Sequence, residues 1–216
     1  MSPLIHGLLA WLLGYALLSD VQDRRLVVIA GVAPDLDGVF VLFNEALFQS
    51  YHHTFGHSYV FGLPVAMAAV ALARERWKTG AVALGAFSLH LLGDLVGSDW
   101  AIAPLYPISG ATLSPQGVLS PEVIYGIIDP VVAVAALAVA GLIMYFREVS
   151  PVEFVSVRLD KWFVGRFVFP LKHRCGLCAR RALARCGSCG RGVCARHLRG
   201  FLRTRCTECP AVPGRD

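Results

Sequence analysis

From residue 131 to residue 144 the chain reads VVAVAALAVAGLIM, with no polar side chain anywhere in the run. Such a run is stable either in the heart of a large core or in the hydrocarbon of a bilayer. It sits inside an apolar stretch at residues 122–146, and four more stretches precede it, at 3–18, 26–47, 60–73 and 80–97. A hydrophobic fraction of 56% and a mean hydropathy of +0.58 are too apolar for an ordinary soluble domain. No small-x-small site follows the first stretch, where Ser19-Asp20-Val21-Gln22 stands, so it reads as a retained span and not a cleaved leader.

The basic residues separate the stretches in alternation. Loop 19–25 carries Arg24 and Arg25, and loop 74–79 carries Arg74, Arg76 and Lys78. Loops 48–59 and 98–121 carry no Lys or Arg, and everything after Phe146 is strongly basic. Basic residues collect on the cytoplasmic side of short loops. The expected fold is therefore an all-α polytopic membrane helix bundle of about five spans in the cell membrane, N-terminus outside and C-terminus cytoplasmic. A large soluble all-α protein is the alternative, and it leaves the alternation as coincidence. Residues 1–146 hold five Lys or Arg against ten Asp or Glu, whereas residues 147–216 hold fifteen against five. Three parts follow: a membrane body at 1–146, a basic and aromatic linker at 147–173 that either lies on the inner membrane face or merely connects, and a cysteine-rich module at 174–210.

Ionisable groups in apolar helices are costly and usually functional. Here they are His6 in the first stretch, Asp35 and Asp37 in the second, His90 and Asp94 in the fourth and Asp129 in the fifth, with His52, His53 and His57 between the second and third. His53 and His57, like His90 and Asp94, are spaced i, i+4, which on a helix places both side chains on one face, as chelation requires. The topology brings His6, His53, His57, His90, Asp94 and Asp129 to the outer side, and Pro34 can interrupt its helix and bring Asp35 and Asp37 there too. Four imidazoles with three or four carboxylates exceed one four-coordinate zinc and suit two or three Zn²⁺, Mn²⁺ or Fe ions. His6 could instead be a structural hydrogen bonder and Asp129 a helix cap, and His52 is not expected to be a ligand.

These residues stand in Ala33-Pro34-Asp35-Leu36-Asp37, His53-Thr54-Phe55-Gly56-His57-Ser58 and Leu89-His90-Leu91-Leu92-Gly93-Asp94. Together they resemble the motifs P-D-x-D, H-R-x-x-T-H-S and H-x-x-x-D of the YdjM-type membrane-bound, metal-dependent hydrolases, with His6 matching an early family histidine. Leu105-Tyr106-Pro107-Ile108-Ser109 resembles that family's aromatic-Pro-Ser loop. Thr54 stands where the pattern is read to have Arg and Gly56 where it has Thr, which weakens an argument for anion binding there. The resemblance covers roughly residues 1–146. It implies a hydrolase, with site chemistry akin to zinc-dependent phospholipases C.

Clustered metals at a lipid–water boundary suit hydrolysis of phosphoester or lipid-linked substrates, because they lower the pKa of water toward ~7. Asp35 or Asp37 is the candidate proton acceptor, and the sequence leaves the choice open. The rival reading is a metal transporter or metal-sensing membrane protein. A transporter needs polar groups continuing to the inner face, which these stretches scarcely offer.

The C-terminal module is a separate signal. Cys175-x2-Cys178, Cys186-x2-Cys189, Cys194-x2-His197 and Cys206-x2-Cys209 are four pairs with the gap of a zinc knuckle, enough for two structural Zn²⁺. A disulfide framework is excluded by the odd count of seven cysteines and by the expected cytoplasmic location. The spacing resembles cross-braced B-box and RING-like fingers, in which pairs one and three share an ion and pairs two and four another; sequential pairing is the alternative. Eight arginines between Arg180 and Arg205 point to an acidic protein or anionic lipid as partner, with nucleic acid not expected.

Overall fold

The fold is described from a computed structural model, which covers residues 1–42, 44–46, 48, 52–98, 100–114, 120–200 and 205–208. The chain divides into two units, Met1–Val139 and Ala140–Asp216.

In the first unit, α1 (Pro3–Leu17) starts with proline in its first turn, where a missing N–H costs nothing. Helix α2 (Val21–Val32) is capped by Asp20, whose carboxylate accepts from Gln22 N at 2.8 Å and Asp23 N at 3.3 Å. Helix α3 (Tyr59–Leu72) is capped by Ser58, and α4 (Arg76–Gly97) follows. The turn between α3 and α4 is held by Asp23. It is wholly buried and accepts from Arg74 N and Glu75 N at 2.8 Å and from Thr79 Oγ1 at 2.9 Å, so its charge is spread over three donors.

Between these helices the core is made of small side chains: Ala10, Ala30, Ala69, Ala83 and Ala86, with Leu18, Val27 and Val82. Small residues let helix backbones approach closely, which is how helices associate where lipid offers no hydrophobic drive. At Gly31 a β-carbon would stand 2.3 Å from the Ala10 β-carbon. A side chain there would force α1 and α2 apart.

Helix α5 (Pro121–Arg147) has a wide π turn at Ile124–Ile128. It and α4 are long and apolar enough to cross a membrane. Only 11% of α5's apolar window is buried against 56% for α4, so α5 presents its hydrophobic surface outward.

Five full spans were expected, and the helices are more varied than that. Helices α1 and α3 are apolar but 15 and 14 residues long, roughly 21–23 Å at 1.5 Å per residue against a ~30 Å hydrocarbon core. The stretch at 26–47 is no single helix. Pro34 has no N–H to return to the ladder, so α2 stops at Val32 and the chain continues as a 3₁₀ segment, Ala33–Leu42.

The second unit contains a 3₁₀ turn, Pro151–Phe154, and α6 (Val157–Phe163), which continues through a π turn (Val164–Val168) into α7 (Phe169–Lys172). Buried Asp160 accepts from Ser150 N at 2.8 Å and from Ser150 Oγ, closing the turn on the helix. Two small hairpins follow. β1 (Ala184–Arg185) pairs antiparallel with β2 (Gly192–Val193), and β3 (Leu198–Arg199) with β4 (Arg205–Cys206). Their core is Ala184, Cys186, Val193 and Cys206. So little apolar burial cannot hold the hairpins alone.

Candidate metal centre

The break at Pro34 turns the chain so that Asp35 and Asp37 face the loop 52–58 and the C-terminal half of α4. His57 Nε2 lies 3.1 Å from Asp94 Oδ2 and 3.3 Å from His90 Nε2. His90 Nε2 lies 3.0 Å from Asp94 Oδ2 and 3.6 Å from Asp35 Oδ1. All four donor atoms fall within 4.8 Å of one another. Ligands ~2.1 Å from a zinc-like ion stand ~3.4 Å apart on a tetrahedron's edge, so the separations are those of a coordination shell.

The imidazoles are set by what their other nitrogens do. His57 Nδ1 donates to Asp37 Oδ2 at 3.0 Å, and His90 Nδ1 donates to the Gly31 carbonyl at 2.7 Å. Each bond fixes the ring and leaves Nε2 to bind metal. Asp37 also bonds His52 Nδ1 at 2.8 Å through its other oxygen, so this carboxylate serves two histidines. It was expected as a ligand; the structure sets it behind His57, orienting rather than joining the four-donor group.

The pair His53 and His57 was expected on one helix face. Both instead stand in a tight loop, their ring centroids 4.3 Å apart. Two features close that loop. His53 adopts φ 63°, in the left-handed region that costs a non-glycine residue roughly 1–2 kcal/mol. Gly56 passes so near Pro34 that a β-carbon would meet its carbonyl oxygen at 2.5 Å. His53 Nε2 lies 3.9 Å from Asp94 Oδ2, while His6 stacks on His90 at 3.7 Å and bonds Asp94 Oδ1 through Nε2 at 2.9 Å. His53 and His6 thus border the four-donor group without entering it.

A cavity of about 410 Å³ opens beside the group, lined by Asp35, Asp94, Asp129, His52 and His53 and by the rings of Phe48, Trp100 and Tyr125. No Lys or Arg side chain is among its described lining residues. Asp35 Oδ2, His53 Nδ1, Asp129 Oδ1 and His6 Nδ1 are buried without a hydrogen-bond partner. A buried polar atom left unsatisfied costs about 1–3 kcal/mol, and a cation coordinated there would remove that cost. The donor set fits divalent metal. Asp129, some distance along the chain, faces the same cavity.

The electrostatics of loop 52–58 agree. Burial pushes the His53 imidazole down to about 3, helped by neighbouring His57 and His52, so it stays neutral and able to coordinate. Burial also opposes charge on His57, but its bonds to Asp37 and Asp94 outweigh burial and push it up to about 9. In the metal-free site a proton on His57 stands in for a cation.

His52 was not expected to take part. The family pattern H-R-x-x-T-H-S has its histidines five positions apart, and His52 and His57 have that spacing where His53 and His57 do not. Aligned so, His53 occupies the Arg position, and Gly56 keeps the Thr position. The spacing was the signal that singles out His52.

The C-terminal module builds two further groups. Cys175, Cys178, Cys194 and His197 come together, as do Cys186, Cys189 and Cys206; Cys209 lies outside the described residues. Pairs one and three therefore share a site, the cross-braced order. Cys178 and Cys194 sulfurs are 3.5 Å apart and those of Cys189 and Cys206 3.6 Å. That is too long for a disulfide and close to the ~3.8 Å edge of a zinc–thiolate tetrahedron. Burial raises the Cys175 thiol, but bonds from Leu177 N–H and the His197 ring overcome it and bring it down to about 6, into the thiolate range.

Among known families, a model described as YdjM inner membrane protein matches residues 1–184. No curated protein and no solved structure matches the chain.

Proposed function

Because the chain belongs to the YdjM inner membrane protein family, we propose that its first unit is a membrane-embedded, metal-dependent hydrolase of phosphoester or lipid-linked substrates. The observation that carries this reading is the convergence of His57, His90, Asp94 and Asp35 on one point at the wall of a cavity. A divalent cation held there supplies Lewis acidity and draws the pKa of water toward ~7. One ion fits the four-donor group. A second ion, as the expected two or three require, would have to draw on the unpartnered atoms of Asp35, His53 and Asp129 along the cavity.

The chain's own residues supply the rest. Asp37 holds the Nδ1 protons of His52 and His57, and the Gly31 carbonyl holds that of His90. Of the two candidate proton acceptors, Asp37 is committed to histidines, whereas Asp35 keeps an uncommitted buried oxygen beside the cavity. Phe48, Trp100 and Tyr125 give the cavity an apolar wall suited to a lipid-linked substrate.

The transporter reading needs a polar path leading away from the centre. The helices pack instead through Ala10, Val27, Ala30, Ala83 and Ala86, and beyond them Asp23 is wholly taken up by its own donors. This favours hydrolysis. The basic-loop alternation puts the catalytic face outside and the zinc module, with an anionic lipid or acidic protein as partner, in the cytoplasm.

The test offers phosphodiesters, phosphomonoesters and lipid-linked phosphates to detergent-solubilised protein with Zn²⁺ or Mn²⁺. Turnover that disappears in His57→Ala and Asp94→Ala but survives Cys194→Ser supports the reading. Metal uptake into vesicles that depends on His57 and Asp94, with no ester hydrolysed, would replace it with transport.

A further inference from the structure

The second unit carries a surface that neither zinc ligation nor the hydrolase site uses. Along the helical segment at residues 157–172, Asp160, Val164, Val168 and Phe169 are buried within the unit. Left outside are Leu159, 48% exposed, Phe167, 53%, and Leu171, 73%, with Val155, 68%, just before them. Exposed Arg158 and Lys161 stand among these apolar side chains.

The unit's acids do not offset these bases. Glu153 and Asp160 are buried, and Glu148 is engaged by Lys172 and His173 at 3.4 Å and by Arg185 at 3.6 Å. Among the described residues after Arg147, Glu208 is the one exposed acid. The outer surface is therefore more basic than the composition alone says.

The segment is also tied to the end of the most apolar helix. Lys172 Nζ lies 5.5 Å over the ring of Tyr145, in the last turn of α5, and bonds Glu148 just past it. If α5 crosses the bilayer, Tyr145, Phe146 and Arg147 form an interfacial aromatic and basic end, and the segment begins at that level.

We propose that this segment binds the surface of an anionic bilayer, inserting Leu159, Phe167 and Leu171 between headgroups while Arg158 and Lys161 meet lipid phosphates. Apolar side chains interleaved with bases suit a lipid surface, where both find a partner. On a nucleic acid or an acidic peptide the exposed leucines and phenylalanine would gain little. The proposal rests on α5 entering the membrane and is independent of the hydrolase reading.

The experiment reconstitutes the full chain, with a photoreactive benzoylphenylalanine replacing Leu171, in nanodiscs of phosphatidylcholine alone or mixed with phosphatidylglycerol. Illumination should yield lipid adducts, roughly tenfold more in the anionic discs, and high salt should erase the difference. Arg158→Glu combined with Lys161→Glu should erase it too, with zinc content unchanged to show that the unit still folds. Equal adduct yields in the two lipids at low salt would overturn the proposal. So would loss of the adduct to added RNA or polyglutamate at physiological salt, because the anionic partner would then be one of those.

Discussion

Asp37 sits between two imidazoles, accepting from His57 Nδ1 at 3.0 Å and from His52 Nδ1 at 2.8 Å. One carboxylate thereby orients two rings at the edge of the candidate metal centre, and it does so from a 3₁₀ segment that exists because Pro34 ends the preceding helix. Asp37→Asn keeps the shape of the side chain but removes its charge. Metal affinity should fall about 10–100-fold, the usual loss when a partner behind a ligating histidine is changed. Titration with a competing chelator measures it; an unchanged affinity would mean that His57 is oriented by something else.

Proton competition gives a second expectation. His57 is pushed up to about 9, so below that pH the metal-free site holds a proton that an entering ion must expel. Metal affinity should therefore climb as pH rises toward about 9, with about one proton released per ion near neutrality. In metal-free protein the stabilisation from charged His57 is complete below 6.5 and is lost as pH rises through about 9. Calorimetry in buffers of different ionisation enthalpy reads the proton count, and release of none between pH 6 and 8 would contradict this account.

The zinc module makes a pairing prediction. Because Cys178 and Cys194 share one group, the double variant Cys178→Ser/Cys194→Ser should lose one zinc and keep the other. Sequential pairing would make the same double variant lose both, since each cysteine would then belong to a different site. Zinc counting by mass spectrometry under native conditions distinguishes the two.

Much of this centre was legible in the sequence, because chelating residues in apolar helices have few other uses. His90 and Asp94 do share a helix face, and their i, i+4 spacing was enough to pair them. The same spacing misled at His53 and His57, where a loop closes over Pro34 through Gly56. That approach is between segments distant in sequence and leaves no periodic trace. The division of labour between Asp35 and Asp37 was equally hidden, since it depends on which side of a 3₁₀ turn faces His57. Composition likewise shows apolar stretches but not that the helices at α1 and α3 are only 15 and 14 residues long. Asp23 looks in the sequence like any other loop charge, though it organises the turn into α4.

Orientation in the membrane is testable apart from chemistry. A reporter fused after Phe146 should be cytoplasmic, and a tag placed between residues 110 and 114 should be reached by an impermeant reagent from outside. Both reporting the same side would remove the topological argument for a catalytic face outside.

The most direct measurement is the metal content of the purified full-length protein against that of His57→Ala/Asp94→Ala. The wild type should carry the two zinc ions of the C-terminal module plus at least one divalent ion in the first unit, and the double variant should retain the two alone. Metal content that is the same in both, under every loading condition, would contradict a membrane metal centre and the hydrolase built on it.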